Sequence, residues 1–239
     1  DKVLDGDRRC RSFWSPNCTR EIFERGVPID YVKLRRNAAS LKERMDRGRS
    51  VRVTSPAGTD LRFGIDGRRG HYDDGDFTLP GKGGNLPTGE VYVSPSNGTA
   101  QGVIVFDGTV DLDTYAEMPD VPVRVMFEEG FATGISGGET ARKLDALLKR
   151  SEAMARDRGM KEEERNTRHL GELGIGLNPR AIMSCNTLED EKVGGTVHFA
   201  IGMNLENDAK ALVHLDCLVL DPDVYVDDEL VMEHGKLLV

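Results

Sequence analysis

The sequence has no run approaching the roughly 20 consecutive apolar residues of a membrane-spanning helix, so no membrane partner is expected. Its four cysteines, Cys10, Cys18, Cys185 and Cys217, are scattered and contain no C-x2-C pair. That excludes a zinc finger and a disulfide scaffold and fits a reducing cytoplasm. Positive charge is in deficit: 32 Lys and Arg stand against 41 Asp and Glu, a net charge of -9 that repels a phosphate backbone. No nucleic-acid partner is expected. The local arginines Arg8, Arg9, Arg11, Arg47, Arg49 and Arg52 alternate with acidic residues and read as a solvated face. There is no internal repeat, no low-complexity stretch and no secretory pattern, so the triplets Asn17-Cys18-Thr19 and Asn97-Gly98-Thr99 are discounted as glycosylation sites. The first residue is Asp1 rather than Met, and the expectation is a chain that starts part-way through a longer protein.

What is there suffices for a folded protein: 239 residues, 38% apolar and 31% charged, enough for one large domain or two small ones. Val32, Leu34, Ala38, Leu41 and Met45 recur at helical spacing and predict an amphipathic helix over 30–47. The period then changes to two. Val51 and Val53, then Leu61, Phe63 and Ile65, predict a strand pair around Pro56-Ala57-Gly58. Residues 71–85 read as loop, 91–94, 102–110 and 121–127 as strands, and 139–156 as a helix with Thr140 as its cap. Strands are expected again over 196–201 and 211–220, with a closing hairpin over 224–239 that turns near Glu233-His234-Gly235. The fold class expected is α+β: a mixed, mostly antiparallel sheet with covering helices and a metal site on one sheet face. Residues 1–48 are read as the remnant of, or linker from, an N-terminal α/β domain, and 49–239 as a metal-binding, peptidase-like domain.

The chemistry-bearing residues lie in four places. Period two puts His214 and Asp216 on one strand face and Leu215 and Cys217 on the other. Two metal-capable side chains then stand about 6.5–7 Å apart at Cα, close enough to share an ion. In Val197-His198-Phe199-Ala200-Ile201 the apolar residues share a core face and turn His198 the other way, although a satisfied histidine is the ordinary reading. Glu172 sits in the glycine-punctuated apolar segment Gly171-Glu172-Leu173-Gly174-Ile175-Gly176, and Glu90 opens a strand. A carboxylate in such a setting is either capped by hydrogen bonds or bound to a cation. Gly81-Lys82-Gly83-Gly84 reads as a flexible connection, and Asp73, Asp74 and Asp76 as a solvated turn. Glu189, Asp190 and Glu191 are acidic candidates near the site, read as another solvated turn.

Taken in order, Asn-Leu-Pro-Thr-Gly-Glu-Val at 85–91, Gly-Glu-Leu-Gly-Ile-Gly-Leu-Asn-Pro at 171–179, Glu-Lys-Val-Gly-Gly-Thr-Val-His at 191–198 and His-Leu-Asp at 214–216 resemble the metallo-aminopeptidases of the aminopeptidase T group. The match runs from about Leu41 onward. The resemblance implies Glu90, Glu172, His198, His214 and Asp216 as ligands to two divalent ions, zinc, cobalt or manganese, with one carboxylate bridging. It further implies a peptide substrate and a homodimer. One position departs from the pattern: the family's tyrosine seven residues after the first histidine is here Leu205. Ring-cleaving dioxygenases of the 2,5-dihydroxypyridine type share the scaffold, and likeness to them would make His198, His214 and Asp216 the triad of a single iron(II). A non-catalytic metal-binding relative is the third alternative.

Overall fold

The computed structural model describes residues 9–238, so Arg8 lies outside the described residues. Two antiparallel sheets face each other across one core. The first has seven strands, in the order His71–Asp73, Glu90–Val93, Leu170–Gly176, Val197–Gly202, His214–Val219, Val110–Asp111 and Ala116–Glu117. The second has eight: Phe131–Ser136, Val123–Glu128, Gln101–Phe106, Asp60–Gly64, Ser50–Thr54, Asp223–Val226, Glu229–Glu233 and Lys236–Leu237. A separate parallel pair, Ser12–Trp14 with Gly83–Asn85, makes the sheet content mixed.

Strict alternation explains how the sheets meet. In the seven-stranded sheet Val91, Val93, Leu173, Ile175, Val197, Phe199, Ile201, Leu215, Cys217 and Val219 are all buried on one face. Opposite them stand Val51, Val53, Leu61, Phe63, Ile104 and Phe106 of the second sheet, and Phe63 meets Phe199 edge-on with ring centres 6.4 Å apart. Each such side chain contributes about 1.5–3 kcal/mol on burial, so this layer dominates the fold's stability.

The helix predicted over 30–47 spans Tyr31–Arg47, capped by the Asp30 carboxylate, which accepts from Lys33 N at 3.0 Å. It buries Leu34, Ala38, Leu41 and Met45. The second long helix, Glu139–Asp157, lies on the other sheet, beside Phe131–Ser136. Thr140 is not its cap: Gly138 holds that place, and Thr140 Oγ1 donates to Glu117 at 2.7 Å instead. The α+β class with mostly antiparallel sheets and covering helices is therefore observed.

Three local expectations are corrected. The stretch 71–85 is not all loop, because it holds His71–Asp73 and Gly83–Asn85. The Phe131–Ser136 strand, whose face alternates weakly and contains Gly134, was not predicted. The closing segment is a three-stranded meander, since Asp223–Val226 pairs with Glu229–Glu233 before the chain turns at His234-Gly235 to Lys236–Leu237. Among the described residues no helix is long and apolar enough to cross a membrane.

Candidate metal centre

The face of the seven-stranded sheet turned away from the core carries the chemistry. Register places the donors on neighbouring strands with small residues between them: Gly176 lies opposite Glu90, Gly174 opposite His198, Ala200 opposite both Glu172 and Asp216, and Gly202 opposite His214. The donors lean over these small residues. A Cβ on Gly174 would lie 2.0 Å from His198 Nε2, so the imidazole lies where any other residue would put its side chain. Gly171 acts at one remove: a Cβ there would meet the Met203 carbonyl oxygen at 2.3 Å. That same carbonyl accepts the hydrogen of His214 Nδ1 at 2.7 Å. The ring is thereby fixed with Nε2 as the free electron pair, the orientation a metal-binding histidine needs.

Two groups of donors result. Glu172, His214 and Asp216 offer atoms that all lie within 4.8 Å of one another, and Glu90, Glu191 and His198 do the same. The groups adjoin through His198, whose Nε2 is 3.3 Å from Glu172 Oε1 and 3.6 Å from Glu90 Oε2. Glu90 Oε2, Glu172 Oε2 and Asp216 Oδ1 are buried without a hydrogen-bond donor. Buried carboxylate oxygens left so are costly unless a cation meets them, and the donor set therefore fits a divalent ion.

Without an ion the imidazoles compensate. Burial opposes charge on His198, but the Glu172 hydrogen bond and the Asp216 and Glu90 charges outweigh it and raise its pKa to about 9. For His214 burial is likewise outweighed, here by Asp216, and the pKa rises well above the ordinary value. Burial would raise the Asp216 carboxyl, yet His214 holds it well below the usual range.

The second group holds a protein cation that sequence reading missed. Lys192 is fully buried; its Nζ donates to Glu90 Oε1 at 2.8 Å and to Glu191, with Asn85 Oδ1 at 3.4 Å. The 189–191 triplet is not a solvated turn. Glu189 is buried and takes a bidentate pair from Arg25 at 2.8 and 2.7 Å, Asp190 is buried and accepts from Ser184 N at 2.7 Å, and Glu191 meets Lys192. Nor is Asp73 solvated: it is buried beside Glu90, accepts from Asn85 N at 2.8 Å, and burial raises its pKa to about 6.

A cleft of about 380 Å³ opens onto both groups. Trp14, Tyr72, Tyr92, Leu188 and Leu205 give it apolar walls; Asn85, Glu90, Glu172, Glu191, His214 and Asp216 line its polar side. Trp14 comes from the opening segment, which has no periodicity to announce it.

Residues 17–239 match the family model of 2,5-dihydroxypyridine 5,6-dioxygenase, NicX. The chain belongs to that family. The NicX match is joined by a curated relative, the 2,5-dihydroxypyridine 5,6-dioxygenase of Pseudomonas putida KT2440, 26% identical over 229 residues, which are 91% of this chain and 62% of the relative. The chain thus spans less than two thirds of that enzyme's length. The solved structure of the 2,5-dihydroxypyridine dioxygenase from the same organism superposes with a TM-score of 0.80 at 23% identity, over 97% of this chain and 66% of that one. AmpT from Thermus thermophilus superposes with a TM-score of 0.69 at 22% identity, over 92% and 58%. At these identities the structures show the shared fold.

Membership of the NicX family overturns the aminopeptidase assignment, and with it the hydrolase and metalloprotease class and the peptide substrate. Both solved structures share this fold, and the motifs at 85–91, 171–179, 191–198 and 214–216 did not tell the two enzyme types apart. The pair of zinc, cobalt or manganese ions is also corrected. The two donor groups share no residue, so no carboxylate belongs to both as the expected bridge would have to.

Proposed function

We propose that this chain holds one ferrous ion on His198, His214 and Asp216 and opens a dihydroxylated pyridine ring with dioxygen. What supports the reading is a set of two imidazoles and a carboxylate on one sheet face, His198 and Asp216 buried and His214 half-buried, in a chain of the NicX family. This is the donor set of mononuclear non-haem iron, which leaves positions open for substrate and oxygen. Iron held there supplies the redox chemistry of dioxygen that no side chain can provide.

The remaining residues bind the ring and handle its protons. The walls formed by Trp14, Tyr72, Tyr92, Leu188 and Leu205 suit a flat aromatic molecule, and the cleft lies within the ordinary range for small-molecule sites. Leu205 extends the apolar wall where the aminopeptidases carry a phenol, so nothing there polarises a peptide carbonyl. Glu172 lies beside the triad with Oε2 free of any donor, placed to take the proton of a ring hydroxyl.

The test is to load the protein anaerobically with ferrous ion and mix it with 2,5-dihydroxypyridine in aerated buffer. Loss of the ring's absorbance with one dioxygen taken up per ring is the expected result. Fully iron-loaded protein that leaves both ring and oxygen unconsumed would refute the assignment.

A further inference from the structure

We infer that Lys192 is a built-in counter-cation that takes the place of a second metal ion and keeps the centre mononuclear. The inference rests on the single-ion reading above, and it removes Glu90 from the ligand set expected from the sequence.

Glu90, Glu191 and His198 offer three donor atoms within 4.8 Å of one another, the geometry of a divalent-ion site. Two of those three residues are already spoken for by one ammonium. Lys192 Nζ donates to Glu90 Oε1 at 2.8 Å and to Glu191, and its third hydrogen has Asn85 Oδ1 at 3.4 Å. An ammonium has three hydrogens, and three oxygens receive them. The side chain is fully buried, and its backbone is pinned on both sides: Lys192 N donates to Glu189 O at 3.0 Å, and Lys192 O accepts from Asn178 N at 2.9 Å. It exposes no surface to solvent. A metal arriving between Glu90 and Glu191 would meet a fixed positive charge at hydrogen-bond distance from its own ligands, so the repulsion excludes it. His198 is then left to the neighbouring group, 3.3 Å from Glu172.

The readout is the number of cobalt(II) ions bound per folded chain, from titration of metal-free protein followed by elemental analysis. Wild type is expected to bind one. Lys192→Ala removes the charge and opens the space, and is expected to bind two, with a second thermal stabilisation step as cobalt is added. A variant that still binds one would overturn the inference while leaving the single-ion reading intact. Wild type binding two would instead sink the single-ion reading.

Should Lys192→Ala fail to fold, Glu90→Gln in the otherwise unchanged protein decides the matter, because it keeps the shape of the side chain. With Glu90 serving the lysine rather than the ion, cobalt affinity should fall less than tenfold. A fall of tenfold or more would make Glu90 a direct ligand and overturn the proposal.

Discussion

His169 is a buried histidine that the proposed chemistry does not use, and its environment makes it an acid-labile point. It is nearly inaccessible, its Nδ1 has no partner, and Phe131 packs edge-on with ring centres 5.5 Å apart. Burial lowers its pKa to about 4, with Asp208 pulling weakly the other way. The folded state thus favours the neutral ring, whereas the unfolded chain takes up a proton near the ordinary value of 6.5. Stability from this group is full above that value and is lost as pH falls from there toward 4, up to about 3 kcal/mol. Replacing the ring by an untitratable one removes the effect. In His169→Phe the melting temperature should fall less between pH 7 and pH 4.5 than in wild type; equal falls would show that other groups govern the acid limb.

The strand Leu170–Gly176 shapes the site through its glycines, which let neighbours press against it. Gly174→Ala is expected to push the His198 ring aside, lowering cobalt affinity at least tenfold while the metal-free protein melts within a few degrees of wild type. Unchanged affinity would mean the ring has room to swing without leaving its ligand position. Much at this scale was legible. Period two placed His214 and Asp216 on one face and Leu215 and Cys217 in the core, since the face of a strand residue depends only on its own neighbours. The flanks of His198 turned it from the core in the same way but left a satisfied histidine as the ordinary reading, and those of Glu172 left capping and cation binding both open; only the family resemblance named them as ligands. Lys192 was beyond reach: its partner Glu90 is 102 residues away, and beside Glu191 in an acidic stretch a lysine looks solvated. Trp14 was hidden likewise, because its strand pairs with Gly83–Asn85 across a long separation.

At the scale of the whole molecule, the two sheets share one core, and the chemistry sits on the outer face of one of them. The fold is common to the 2,5-dihydroxypyridine dioxygenase and to AmpT, so the fold alone does not determine the reaction. On the reading proposed for this chain, the deciding feature is a single metal ion on that face. With Lys192 held between Glu90 and Glu191, His198 is left to the neighbouring group, so the proposed centre is a single ion on His198, His214 and Asp216. X-ray absorption at the iron edge of the iron-loaded protein measures this directly. The expected spectrum has imidazole scattering from two histidines and no metal–metal vector. An iron–iron distance of about 3.5–4 Å, the spacing of two-metal hydrolases, would contradict the single-ion centre.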